Sequence, residues 1–333
     1  MAKTLSIDDL KKEFATREQE YLRTGILSVD LLTGGRGLPR GSFLNFYTKY
    51  GYGKTTTAFS VAKALADKGF KTIFAFTEGS QELAKAMGLL EPQYADSFLQ
   101  LDIKTYNDLE KVFRVFLDSD YTVLMVDSIT GCCVDALSSG ETSAMEQLPA
   151  TDARAQSAMF KMMQGNIKST DKILFSISQT RANFNKGWNG PDTVAAGGQA
   201  AQFYPMINFT MDGDAQVSDI ESTDSKKRIG KNGYLVSEKN RYSSPRVRIP
   251  IQILFGKGVS NVYVLLYYMY WKGLISSAGA FFKIKWNGEE VSVRGKVERN
   301  NFVKNNAETI IESFYEDSEA FYNALAEGFT TTV

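Results

Sequence analysis

Histidine is absent from the 333 residues. Its absence removes the usual acid/base side chain of neutral pH and the commonest zinc ligand, so any catalytic base has to be a carboxylate. Only two cysteines occur, Cys132 and Cys133, and they are adjacent. Neighbours do not readily form an ordinary disulfide, so no covalent staple is implied and a reducing, cytoplasmic setting fits. No apolar run approaches the length of a membrane span, and the opening MAKTLSIDDLKKEF carries no signal-peptide core. An excess of charge is missing as well. The 38 Lys+Arg balance the 38 Asp+Glu, so net charge says nothing for nucleic acid.

What is present is an ordinary globular composition, 43% hydrophobic and 23% charged, in a chain long enough for one large α/β core with small flanking units. Charge is segregated locally. Asp212, Asp214, Asp219, Glu221 and Asp224 fall in a stretch without a basic residue, and residues 226–257 then carry nine Lys/Arg against one Glu. Such a block suits a phosphate site, with a solvated strand face as the alternative.

Residues 5–15 fit one short amphipathic helix with Ser6 as N-cap and Leu10 and Phe14 four apart. From about 23 to 211, apolar strands alternate with amphipathic helices. FLNFY (43–47), TIFAF (72–76), TVLMV (122–126) and ILFSIS (173–178) are continuous apolar runs, with helices expected over Lys54–Asp67 and about 153–168. A third helix is marked by the stripe Leu109, Val112, Phe113, Phe116 and Leu117. Continuous runs predict strands covered on both faces, hence a mostly parallel, doubly wound sheet. Residues 234–238 and 247–254 alternate more and read as antiparallel strands. The last 70 residues read as a small α+β appendage ending in an acidic helix with Glu308, Glu312, Glu316, Asp317 and Glu319.

Three motifs carry chemistry, each directly after a buried strand. TKYGYGKTT, from Thr48 through Lys49, Tyr50, Gly51, Tyr52, Gly53, Lys54 and Thr55 to Thr56, has the form of a phosphate-binding loop. Backbone N–H groups at a helix N-terminus cradle phosphate, the lysine reaches the terminal phosphates, and the Thr55 hydroxyl ligates Mg²⁺. Thr48 stands where the consensus has its first glycine, and an accidental Gly-rich turn is the competing explanation. VLMVDS ends a strand on Asp127, where it can hold magnesium through water. FTEGS places Glu78 after strand 72–76, beside the phosphate loop if that strand neighbours 43–47. With no histidine available, Glu78 is the candidate for polarising an attacking water. Its alternative role is N-cap or first-turn acid of a helix from residue 80.

These motifs, in this order, resemble the ATPase core of the RecA family, shared by the phage UvsX-type recombinases. The resemblance begins with TGILSVDLLTGGRGLPRGSFLNFYTKYGYGKTTTAFSVA. It continues through TEGS, VLMVDSIT, ISQTR, AAGGQAAQFY, SEKNRYSSP and QILFGKGVS, roughly residues 22–300. It implies a RecA-like core over 22–258, a short oligomerisation segment over 1–21 and a small C-terminal subdomain over 259–333. The implied activity is DNA-dependent ATP hydrolysis with Mg²⁺, coupled to strand exchange in recombination and repair. The implied partners are single-stranded DNA, homologous duplex, further copies of the chain in a helical filament, and single-strand-binding or mediator proteins. No membrane is implied.

By the same resemblance Gln179 is the γ-phosphate sensor, and Lys239 and Arg241 are the cations that reach a neighbour's ATP. Arg241 replaces a lysine of the family pattern. The first DNA-binding loop falls at about 138–154, with Arg154 at its end and Lys161 further along its helix. The second, 181–198, carries Arg181, Phe184, Lys186 and Trp188 and ends on Gly197 and Gly198. Rings in a basic, Gly/Asn-rich loop can stack on bases while cations meet phosphates. Leu83 falls near the family's adenine-stacking tyrosine. The segment after Glu78 and the amino-terminal segment are both shorter than in bacterial RecA. A RecA-core motor of another class, such as a ring helicase or a RadA/KaiC-like ATPase, is the alternative; a filament protein with feeble hydrolysis is a third.

Overall fold

Phe43 and Leu44 are adjacent in sequence but lie in different hydrophobic cores. Successive side chains of a strand face opposite sides, and this sheet is covered on both. A computed structural model describes residues 6–8, 18–135, 149–182, 193–195, 198–218, 228–331 and 333.

The described residues form a ten-stranded central sheet. Its strands are β1 Ser42–Thr48, β2 Thr72–Phe76, β3 Phe98–Asp102, β4 Val123–Asp127, β5 Ile173–Ala182, β6 Thr193–Ala195, β7 Ile207–Ser218, β8 Arg228–Asn240, β9 Arg248–Leu254 and β10 Gly258–Val259. The spatial order is β10-β9-β8-β7-β1-β5-β4-β2-β3, with β6 pairing to β5. From β3 to β7 neighbouring strands are parallel, and from β7 to β10 they are antiparallel. The division follows the hydrophobic pattern in part: continuous runs form β1, β2, β4 and β5 and more alternating runs form β8 and β9, whereas β3 (FLQLD) and β7 carry no run that marks them in the sequence.

Helices α1 Lys54–Ala66, α2 Gln81–Ala86, α3 Tyr106–Asp118, α4 Pro149–Ile167 and α5 Gly198–Phe203 belong to this core. On α3, Leu109, Phe113 and Phe116 are buried and Val112 and Leu117 pack beside them, as the stripe predicts. The helix starts from a Thr105–Asp108 capping box. Boundaries differ from expectation, β8 running Arg228–Asn240 where the alternation marks only 234–238. Helix α4 begins at Pro149, because proline is preset for the first helical position and leaves no N–H unpaired there. Strand β5 runs on to Ala182, because Thr180 to Ala182 pair antiparallel with β6. Apart from Ser6, Ile7 and Asp8, the expected helix over 5–15, Leu10 and Phe14 included, lies outside the described residues.

After α6 Asn261–Trp271, a meander of β11 Ile275–Ala278, β12 Phe281–Trp286 and β13 Glu289–Arg294 leads into α7 Gly295–Asn305 and α8 Ala307–Ala326. This is the expected α+β appendage with its acidic last helix. Phe314 and Phe321 of α8 close over Tyr268 of α6 at ring distances of 5.6 and 5.8 Å. Polar ties add direction to that contact. Tyr315 donates to Asp30 Oδ2 at 2.6 Å, and Tyr322 donates to the Ser244 carbonyl at 2.6 Å. Asp30 is fully buried and also accepts from the Thr24 hydroxyl and backbone. Burial outweighs these bonds and pushes its carboxyl above the usual range. No helix among the described residues is long and apolar enough to cross a membrane.

Candidate functional site: a phosphate loop and its acidic partners

Strand β1 delivers the chain from the middle of the sheet to its carboxyl edge, and α1 carries it away. The turn between them needs glycine twice. Gly51 and Gly53 have φ of 77° and 80°, a region that strains any residue with a Cβ. At Gly53 a Cβ would also lie 2.5 Å from Ile253 Cδ1. The loop therefore rests directly on β9, with the free N–H groups of α1 at its mouth. Lys54 folds back over it, donating to the carbonyls of Thr48 at 2.8 Å and Lys49 at 3.1 Å. Desolvation lowers the Lys54 ammonium, opposed by the charges of Asp127 and Glu78. Thr48 is buried, and its hydroxyl donates to the Met211 carbonyl at 3.3 Å. Tyr50 is 95% exposed. The Lys231 ammonium lies 5.1 Å from the centroid of the Tyr52 ring.

Asp127 ends β4 and is 8% exposed. It accepts from the Thr55 hydroxyl at 2.6 Å. Burial raises the Asp127 carboxyl, helped by Glu78 and opposed by Thr55 and Lys54. A hydroxyl and a buried carboxylate in contact at a helix N-terminus are hard oxygen donors, the chemistry Mg²⁺ takes. Together with the loop N–H groups and Lys54, the residues present fit a magnesium nucleotide.

Strand 72–76 does not neighbour strand 43–47, which corrects the adjacency that the sequence reading used for Glu78. Strands β5 and β4 lie between them, a crossover order that no local pattern encodes. Glu78 nevertheless reaches the site from the loop after β2, where it accepts from Gln179 Nε2 at 2.7 Å. Gln179 is the register partner of Thr48, so this contact stands at the edge of the phosphate loop. Glu78 does not cap a helix. Ser80 is the N-cap of α2, and the first-turn acid there is Glu82.

On the other flank, a cleft of about 480 Å³ opens beside the loop, lined by Lys49, Tyr52, Asp212, Glu238, Arg246 and Arg248 among others. Here the basic block divides. Arg248 pairs with Asp212 and lies 4.4 Å from the Tyr234 ring centroid, and Arg246 approaches Glu238 at 4.0 Å. These two cations are answered by acids, Arg248 reaching across β8 to Asp212 on β7 and Arg246 meeting Glu238 on β8, as on a solvated strand face. Lys239 is half-buried, and its ammonium donates to the carbonyls of Gln202 and Phe203 that end α5. Desolvation lowers it, as does nearby Arg241, which is exposed.

Of the DNA candidates, Arg154 and Lys161 are exposed on α4, two turns apart, and Gly198 opens α5 with φ 63°. The backbone of Arg181 pairs with Val194. Phe184, Lys186, Trp188 and Gly197 lie outside the described residues, as do 138–148 of the first loop and Asp219, Glu221, Asp224, Lys226 and Lys227 of the charged stretch.

The family model described as the RecA N-terminal domain matches residues 4–260. The chain belongs to the RecA family. Among its relatives, the protein RecA of Lactococcus lactis subsp. cremoris (strain MG1363) is 26% identical over 309 residues, covering 90% of this chain and 76% of its own. The protein RecA of Methylobacterium radiotolerans is 26% identical over 315 residues, covering 92% and 81%. That of Parvibaculum lavamentivorans is 25% identical over 312 residues, again covering 92% and 81%.

Two polar residues beside this RecA-family site escape sequence reasoning. Asn240, between Lys239 and Arg241, accepts from the N–H groups of Tyr242 and Ser243 and donates to the Leu32 carbonyl at 2.7 Å. It shapes the turn that presents Arg241, and an Asn ahead of Ser-Ser-Pro is the signal that could have found it. Asn45 sits inside the apolar run of β1, fully buried. Nothing local distinguishes it from a strand residue of no consequence.

Proposed function

We propose that this chain is a DNA-dependent ATPase that assembles as a helical filament on single-stranded DNA, pairs it with homologous duplex and exchanges strands. The observation that carries the reading is the Glu78–Gln179 contact, standing at the edge of a phosphate loop that Thr55 and Asp127 complete. The two free cysteines accord with a reducing, cytoplasmic setting.

In this reading the N–H groups from Tyr50 to Thr55 hold the β- and γ-phosphates of ATP, and Lys54 exchanges the carbonyls of Thr48 and Lys49 for phosphate oxygen. Thr55 and Asp127 hold Mg²⁺, which neutralises charge on the phosphates when bound. Glu78 orients the attacking water and takes its proton as the bond to γ-phosphorus forms. The bond to the leaving oxygen breaks, giving ADP and phosphate. Gln179, drawn towards the γ-phosphate, releases Glu78 for that role and carries the nucleotide state along β5 to the second DNA loop. Lys239 and Arg241 meet the nucleotide of a neighbouring subunit, so transition-state charge is compensated only after assembly. DNA is gripped by cations on its phosphates and by Phe184 and Trp188 on its bases. Affinity is then salt-dependent and nearly blind to sequence.

Negative-stain electron microscopy with single-stranded DNA and ATPγS tests the reading. Regular helical filaments are expected. Closed rings would assign the chain to the ring motors, and free subunits would remove assembly on DNA altogether.

A further inference from the structure

The face of the sheet that carries Phe43, Leu124 and Leu174 is largely apolar, and a line of polar residues crosses it. Register places Ser176 of β5 beside Asn45 of β1, Asn45 beside Asn208 of β7, and Asn208 beside Lys239 of β8. On the far side Ser176 meets Val126, where the polar row stops. Ser176 and Asn45 are fully buried, and Asn208 is 4% exposed. Buried polar groups in a core strand are costly unless hydrogen-bonded, so a row four strands wide needs a reason.

The bonds along the row have a direction. Asn45 Oδ1 accepts both the Ser176 and the Ser178 hydroxyls at 2.8 Å, so its amide is tied to β5. Asn208 Nδ2 donates at 2.8 Å to the Gln202 carbonyl, one of the two carbonyls that also hold the Lys239 ammonium. What remains is one orphan donor, Asn45 Nδ2, and one orphan acceptor, Asn208 Oδ1, each buried and without a partner among the described residues, on adjacent strands. The two orphans are complementary. They belong to register partners on β1 and β7. At one end of the row Ser178 immediately precedes Gln179; at the other, α5 follows the second DNA loop directly.

We propose that Asn45 and Asn208 are positioning residues that couple the Gln179 end of β5 to α5 and Lys239, linking DNA engagement to nucleotide turnover. This rests on the functional reading above. Neither residue touches nucleotide or DNA. Each acts by fixing where α5 sits when β5 responds to phosphate.

The test compares ATP hydrolysis with and without a poly(dT) oligonucleotide, alongside thermal melting. In one variant, Asn45→Leu with Ser176→Ala and Ser178→Ala, the β5–β1 part of the row becomes apolar and its hydroxyls are not stranded. The second variant, Asn208→Leu, breaks the row from its other side. The expected result for each folded variant is a DNA-free rate near that of the unaltered chain with the DNA-stimulated increment lowered about 5-fold or more. A merely structural role would lower both rates together, and that result, or an undiminished increment in a folded variant, overturns the proposal. If the unaltered chain itself shows no stimulation by DNA, the functional reading falls, and this inference with it.

Discussion

Gln179 donates its side-chain amide to Glu78 at 2.7 Å, joining two residues 101 positions apart in the chain at the edge of the phosphate loop. The amide holds the carboxylate by one oxygen. That arrangement separates two jobs of Glu78: it can be anchored as an acceptor whether or not it can take a proton. Glu78→Gln keeps an acceptor for Gln179 and loses the base. Turnover is expected to fall by about 10²–10⁴-fold, with ATP binding retained by fluorescent-analogue titration and filaments persisting on DNA. A loss of binding instead would make Glu78 structural.

Among the described residues Lys54 donates only to loop carbonyls, so truncating it removes little that holds the fold. Lys54→Ala should reduce hydrolysis by on the order of 10²–10³-fold, with a melting temperature close to that of the unaltered protein. Turnover at the unaltered rate would remove the phosphate-loop assignment.

Asp127→Asn preserves an oxygen for the Thr55 hydroxyl and deletes the charge. Apparent Mg²⁺ affinity, measured by titrating turnover at fixed ATP, should weaken roughly 10–100-fold. Unchanged magnesium dependence would place the metal elsewhere.

Lys239→Ala and Arg241→Ala should leave nucleotide binding by free subunits intact and reduce DNA-stimulated hydrolysis by roughly 10³-fold. Mixing either variant with Lys54→Ala subunits restores junctions at which an intact phosphate loop faces an intact pair. Partial recovery of hydrolysis on mixing supports action across the interface; none at any ratio confines the pair to its own subunit.

Tyr315→Phe removes one donor from Asp30, the buried carboxyl that ties α8 to the core. A lost hydrogen bond to a buried carboxyl costs about 1–3 kcal/mol. The folded-state pKa of Asp30 is already raised by burial, so its contribution is most favourable below the unfolded pKa and declines as pH rises through the folded one. Losing Tyr315 raises that pKa further. The deficit of the variant should therefore be larger at pH 7 than at pH 4 in denaturant titrations, and a deficit independent of pH would mean that Asp30 is not ionised beside Tyr315.

Four strands of the parallel half, β1, β2, β4 and β5, were legible because each is a local pattern: TIFAF is apolar throughout, and only a strand covered on both faces needs that. The order of those elements was not. Nothing in residues 72–78 announces that β4 and β5 come between β2 and β1, and the path by which Glu78 reaches the site depends on that order. Thr48 looked like a defect in the loop because its hydroxyl is satisfied by Met211, 163 residues away. Asn45 was invisible for the same reason, its partners lying on β5 and, in register, on β7. Local chemistry was readable wherever the chain supplies it in one stretch. Chemistry assembled across strands was readable only where a motif marks each partner, as at Thr55 and Asp127.

The strand order also has a consequence for an assembly as an object with ends. Glu78 and Gln179 flank the phosphate loop on the side of β5, whereas Lys239 leaves from β8 on the opposite side and holds the carbonyls of its own α5. On the proposed reading, the last subunit at one end has a base and a nucleotide but receives no foreign cation. The last subunit at the other end offers a cation that nothing takes up. A polymer built this way is chemically asymmetric from tip to tip, one terminus hydrolysing and the other only holding ATP. Growth and loss of subunits would then differ between the two termini, so the polymer would acquire a direction in time as well as in space.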